Sequence, residues 1–187
     1  MIQSSEIFIR KLTHILVING AIDAKAEHQF DEAFKKSAHE SYEMFLLDEG
    51  LVEPNELLNA LSQCYKVPSF DVSDYFFEHN LLHFFPKDFL LRNAVIPAEL
   101  DEDMLVLVTS DPSDADLARK INEFVSYDVR FCVGIYRDIC DAIEEFYDYA
   151  LTQKNEDGLD DLDTDSEVYE FEIDEEGAVI DEDIDEI

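Results

Sequence analysis

The chain has 187 residues, 47% hydrophobic and 12% aromatic, which supports one medium domain or two small ones, and it carries a formal net charge of −33. No window approaches the roughly 18 uninterrupted apolar residues of a membrane span, and the opening MIQSSEIFIRKL lacks the ordered regions of a signal peptide, so the cytosol is the expected compartment. Residues 156–187 hold 17 acids and no Lys or Arg, leaving 29 acids against 13 bases (net −16) in residues 1–155; such a body repels phosphate backbones and anionic lipid. Nucleic acid and direct membrane insertion are thereby disfavoured, and a protein partner with a basic surface is expected.

The first segment contains a repeat at an offset of 30 residues, in which THILVINGAID (Thr13–Asp23) aligns with EMFLLDEGLVE (Glu43–Glu53). Leu16 matches Leu46, Gly20 matches Gly50 and Ile22 matches Val52. Each copy reads as an apolar helical turn closed by a glycine, the residue that most readily takes the left-handed position at a helix end. Asp23 is expected to cap the next helix, whose apolar stripe is Ala26, Phe30, Ala33 and Phe34. In the second copy Glu53, Pro54 and Glu56 resemble a capping arrangement ahead of Leu57, Leu58 and Leu61. Residues 1–66 therefore read as a helical subdomain of two degenerate glycine-turn repeats.

Pro68, in CYKVPSFDV, stops the helix and opens an extended connector. Asp74 to Phe85 is rich in aromatics and predicts one or two short helices. His79 and His83 are four apart and could share a helix face, but residue 80 is Asn and no third ligand is evident. No metal is expected. Cys64, Cys132 and Cys140 are odd in number and scattered, as free thiols are.

Asn93–Asp114, NAVIPAELDEDMLVLVTSDPSD, predicts a hairpin of strands Ala94–Ala98 and Leu105–Thr109 around an acidic turn, Glu99–Asp103. Asp111 as cap, Pro112 at the first helical position and Asp114 in the first turn predict a helix over Pro112–Ser126. Its inward residues would be Leu117, Ile121, Phe124 and Val125. Asp128–Gly134 alternates Val129, Phe131 and Val133 with Arg130 and Cys132, as a half-buried third strand does. A last helix is expected over Ile135–Ala150. The order β-β-α-β-α over residues 67–150 is an α+β arrangement, a small three-stranded sheet with helices on one side. No catalytic constellation emerges, and none of the five glycines builds a phosphate loop, so neither enzymatic activity nor a cofactor is expected.

Together, FLLDEGLVEPNELLNALSQCYKVPSFDV, FFPKDFLLRNAVIP, MLVLVTSDPSD and VRFCVGIYRDICDAIEEFY make the chain similar to the N-terminal domain of type II secretion and type IV pilus assembly ATPases. The similarity covers most of residues 10–148. In those ATPases the domain precedes a P-loop motor, which the 187 residues lack, so the resemblance implies a stand-alone module. In some members paired helical repeats bind cyclic di-GMP through an Arg-Leu-Gly opening, a second glycine and a terminal glutamine in each copy; in others the domain docks on the cytoplasmic part of an inner-membrane platform protein. Carried onto this chain, the ligand positions are Lys11, Leu12, Leu16 and Gly20 in copy one and Tyr42, Leu46, Gly50, Leu57 and Leu61 in copy two. The opening triplets are here Lys11-Leu12-Thr13 and Ser41-Tyr42-Glu43, and Cys64 replaces the second glutamine. Without arginine a planar donor is lost, and Glu43 would set a repulsive charge beside a dianion, so cyclic di-GMP is disfavoured.

Residues 151–187 have the composition of a disordered acidic tail. Within it EVYEFEID (Glu167–Asp174) alternates Tyr169, Phe171 and Ile173 with acids, and this alternation suits a linear motif that adds to a partner's open sheet edge or folds on a basic groove. The expected function is that of a non-catalytic adaptor in a secretion, pilus or motility assembly. The alternatives are a degenerate cyclic di-GMP sensor and an acidic mimic of a nucleic-acid-binding protein's ligand.

Overall fold

Ser5 opens the first helix by accepting a hydrogen bond at Oγ from the Phe8 N–H at 3.2 Å. This helix, α1, spans Glu6–Ile18 and is followed by α2 (Glu27–Lys36), α3 (Tyr42–Asp48) and α4 (Pro54–Tyr65). The computed structural model describes residues 5–25 and 27–156. Ala26 of the expected stripe, and the acidic segment with Tyr169, Phe171 and Ile173, lie outside the described residues.

The glycine closures of α1 and α3 are the same structure built twice. The Gly20 N–H donates to the Val17 carbonyl at 3.0 Å and the Ala21 N–H to Leu16 at 2.9 Å; the Gly50 N–H donates to Leu47 at 3.0 Å and the Leu51 N–H to Leu46 at 2.9 Å. Both glycines take positive φ, +79° and +62°, where a side chain is strained. Pro54 occupies the first helical position of α4, and the Glu56 carboxylate accepts the Glu53 N–H at 3.0 Å, as the capping arrangement requires. Asp23 behaves differently from expectation. Its Oδ1 accepts the Lys25 N–H at 2.9 Å, closing a turn ahead of α2 rather than capping the helix itself.

Leu12 and Leu16 of α1, Phe45 and Leu46 of α3 and Leu57, Leu58 and Leu61 of α4 meet in one buried cluster. Each such leucine contributes about 2 kcal/mol on leaving water. A second cluster surrounds the sheet. After the short helices α5 (His79–Leu82) and α6 (Lys87–Asn93), β1 (Val95–Asp101) pairs antiparallel with β2 (Met104–Thr109), from Val95↔Thr109 to Asp101↔Met104. Register shifts between Pro97 and Glu99, beside a residue that has no N–H to give to the ladder. Pairing of Leu100 with Leu105 carries the strands past the expected five-residue turn, which shrinks to Glu102–Asp103 with Glu102 at φ +52°.

The expected helix Pro112–Ser126 is much shorter, since α7 is only Leu117–Ile121. Asp111 Oδ1 accepts the Ser113 N–H at 3.1 Å and its hydroxyl at 2.5 Å, and Asp114 Oδ1 accepts the Asp116 N–H at 2.9 Å. Two consecutive aspartate turns thus divert the amide groups that a helix would have used. β3 (Asp128–Val133) then runs parallel to β2, giving the order β1-β2-β3, and α8 is Tyr136–Glu156.

Leu105, Val106, Leu107, Val108 and Thr109 alternate between the faces of β2, and all five are buried. Both faces of the central strand are therefore covered, in place of the one-sided cover expected from the element order. Val133 and Ile135, at the end of β3, belong to the helical cluster instead of the sheet cluster. Both clusters fall within one compact unit, Met1–Gln153. No described helix is long and apolar enough to cross a membrane.

Because both turn glycines hold left-handed backbone in open space, Gly20→Ala and Gly50→Ala should each destabilise the protein by about 1 kcal/mol, with additive effects in the double variant. Urea unfolding checks this, and unchanged midpoints in both single variants would refute the helix-closing role.

Candidate functional site

The repeat residues converge, but most of them converge inward. Leu12, Leu16, Tyr42, Leu46, Leu57 and Leu61 are all fully buried. Gly20 and Gly50 are exposed with nothing near their Cα hydrogens, and Lys11 is exposed while its Nζ donates to the Cys64 carbonyl. The six apolar members fill the space between α1, α3 and α4.

Two polar side chains occupy matching repeat positions inside this core. Thr13 donates its hydroxyl to the Ile9 carbonyl at 2.8 Å, which leaves the Tyr42 hydroxyl to donate to Thr13 Oγ1 at 2.9 Å and link the two copies. Glu43, one repeat later, is 1% exposed, and neither of its carboxylate oxygens finds a hydrogen-bond partner among the described residues. Burial, with Asp111 adding repulsion, pushes its pKa from 4.5 to about 8. At neutral pH Glu43 is thus mainly a neutral acid inside the protein. The repulsive surface charge expected from its sequence position does not exist. Periodicity could have found the buried position, since Glu43 aligns with Thr13, but not the protonation state.

Cys64 packs in the same cluster, and burial pushes its thiol up to about 11, against the lowering effect of Lys11. Burial also raises the Cys132 and Cys140 thiols, so all three free cysteines are protonated and poorly nucleophilic at neutral pH. At the rim, Asp48 accepts from Arg137 Nη1 at 2.8 Å and lies 3.4 Å from His39 Nε2, joining α3 to the start of α8.

Beside the N-terminus of α4 a small pocket of about 20 Å³ is lined by Asn55, Leu58, Phe70, Asp71, Ser73 and Asp138, among others. It has room for about one water molecule and none for a dinucleotide. Burial raises the Asp138 pKa and Asp71 and Asp141 reinforce the shift, while Arg137 and a hydrogen bond from Ser73 oppose it. His79 and His83 are half-buried and face different aromatic rings, Phe76 at 6.1 Å and Tyr147 at 5.4 Å. Among the described residues no group of three or more His, Cys, Asp or Glu is placed to hold a metal.

A three-stranded sheet preceded by paired helical repeats defines a small α+β domain, and comparison with known proteins places it. Residues 65–153 match the family model of the MshEN domain. The type IV pilus assembly ATPase PilB of Myxococcus xanthus (strain DK1622) is 27% identical over 102 residues, 54% of this chain and 18% of PilB. The chain thus spans less than a fifth of that relative's length. Among solved structures, MshE with cdg superposes with a TM-score of 0.58 at 22% identity, covering 73% of this chain and 98% of that one. The N-terminal domain of XpsE gives 0.53 at 17% identity, covering 75% and 96%. These likenesses establish the shared fold. The family match begins after Leu61, so the repeat positions Lys11 to Leu61 lie outside it.

A buried acid that is harder to ionise in the folded protein than in the unfolded chain makes stability fall as pH rises. The loss should begin above pH 4.5 and level off beyond pH 8, with a slope approaching about 1.4 kcal/mol per pH unit between them. Glu43→Gln, which cannot ionise, should flatten this stretch of the profile. Chemical denaturation from pH 5 to pH 9 measures it, and parallel profiles for the two proteins would contradict a buried, ionisable Glu43.

Proposed function

We propose that this protein is a non-catalytic interaction module, an adaptor that engages a component of a pilus, secretion or related assembly on the cytosolic side. The observation that carries the reading is the use of the repeat: the leucines and Tyr42 at the ligand positions are consumed by the hydrophobic core, while the surface is given over to charge. Relatives named for pilus assembly support the choice of partner class, and the acidity of the chain supports a basic face on that partner. Tyr169, Phe171 and Ile173, in the acidic segment, are proposed as its apolar contacts.

One observation favours a second reading. A similar fold is known as MshE with cdg, so a cyclic di-GMP sensor is the alternative, with Lys11, Gly20 and Gly50 as its exposed members. Arginine's planar fork is missing at both repeat openings, and a lysine offers only a point charge in its place.

Isothermal titration with cyclic di-GMP separates the two readings. The adaptor reading expects no saturable heat with ligand up to about 100 μM, whereas micromolar binding abolished by Lys11→Ala would establish the sensor. Copurification of a platform or motility component from the native host should depend on residues 156–187. Alanine at Tyr169, Phe171 and Ile173 should weaken it, while exchanges of Asp for Glu elsewhere in that segment should not.

A further inference from the structure

The two edges of the sheet are finished differently. At the β1 edge Pro97 has no N–H to offer, the register shifts beside Ala98, and the Ala98 carbonyl accepts from the Tyr75 hydroxyl at 3.3 Å. Glu99 and Asp101 add charge of one sign there. The β3 edge has neither proline nor bulge.

Hydrogen bonding fixes which residues of β3 look outward. The Asp128 N–H donates to the Asp103 carbonyl at 2.9 Å and the Gly134 N–H to Thr109 at 3.1 Å, both on the β2 side. The two main-chain groups of a residue in a parallel strand point the same way, so the even-numbered residues serve β2 while Val129, Phe131 and Val133 turn outward. Val133 is taken by the connector, through Phe70 and Pro68. The outward groups of Val129 and Phe131 have no partner among the described residues. Asp128 and Arg130 flank Val129, and both are exposed with no ion pair among the described residues.

We propose that the β3 edge pairs with the β3 edge of a second copy of this chain, antiparallel about Val129, joining two three-stranded sheets into one of six strands. Charge complementarity selects both the occupant and the register. Centred on Val129, the pairing sets Asp128 of each copy opposite Arg130 of the other and Tyr127 opposite Phe131. Centred on Asp128 or on Arg130, it would set like charges face to face, which destabilises a sheet. Centred on Phe131, it would need the groups of Val133 that the connector already holds. Asp128 and Arg130 fall at non-hydrogen-bonded positions, where opposing Cα atoms come closest, about 4.5 Å apart. The joined sheet ends on the guarded β1 edge of each copy, so growth stops at two. The body's net charge of −16 opposes association, but at physiological salt it is screened beyond about 8 Å, and both Asp128 and Arg130 pairs lie within that distance.

The test is sedimentation equilibrium of the full chain at about 150 mM salt. A reversible dimer is expected with a Kd of about 100 μM or tighter. Asp128→Arg and Arg130→Asp should each weaken it at least about tenfold, since each sets two like-charged pairs across the interface. Mixed one to one, these two variants should associate with each other, and the double variant carrying both exchanges should regain the parental Kd within about threefold. Net charge alone cannot produce this pattern, because Asp128→Arg makes the chain less acidic and would tighten a dimer governed by repulsion. Circular dichroism checks folding; should one single variant fail to fold, the other and the double variant carry the test. A monomer at about 500 μM, a dimer indifferent to either exchange, tightening in Asp128→Arg, or losses repaired neither by mixing nor by the double exchange would each overturn the proposal. So would a monomer whose Val129 and Phe131 amides are protected from hydrogen exchange, which assigns the edge to another segment.

Discussion

A strand that is apolar on both faces cannot sit at the edge of a sheet or lie against solvent, and β2 is such a strand. Leu105 to Thr109 are all buried, so β2 requires a paired neighbour on each side and a covering layer above and below. The antiparallel hairpin with β1 meets half of that need locally. The other half is met by β3, which must run parallel and therefore needs a crossover through α7. The end of β3 then does a second job. Val133 accepts from the Phe70 N–H and donates to the Pro68 carbonyl, each at 2.9 Å, which fastens the connector from α4 to the sheet. Its side chain joins the leucines of the helical repeats. The sheet and the repeats are thereby joined through one strand end.

The helical repeats show how a sequence duplication can be retained for packing. Two matching glycine closures end α1 and α3, α2 and α4 pack back on α1, and the leucines between the helices need one another for burial. Inside that core the copies have diverged at one matching position. Thr13 satisfies its hydroxyl within the core through Ile9 and Tyr42, whereas Glu43 has no such partner and remains mostly uncharged. A neutral buried acid costs less than a buried carboxylate, but more than a threonine whose hydrogen bonds are complete.

Acidic charge dominates the surface. The acids are spread over the body and concentrated in residues 156–187, and the α7 cations Arg119 and Lys120 are paired with Asp116 and Asp114. The fold accommodates this acidic surface because its framework is apolar and internal.

Much of the framework was legible in the sequence, because periodicity reports which side of an element faces away from water. The glycine-closed repeats, the hairpin, the third strand and the last helix follow from alternation, helical spacing and turn residues that act within a few positions of themselves. What sequence could not decide depended on groups distant along the chain. Asp111 and Asp114 look like helix-starting acids, yet they close turns on the amides of Ser113 and Asp116, and α7 is short. One-sided cover was expected from the element order, yet β2 is enclosed on both faces because segments remote in sequence fold over it. The charge of Glu43 was the furthest from reach. A carboxylate is charged in any linear reading, and only the packing of α3 against the other repeat helices and Asp111 removes its water and holds its proton in place.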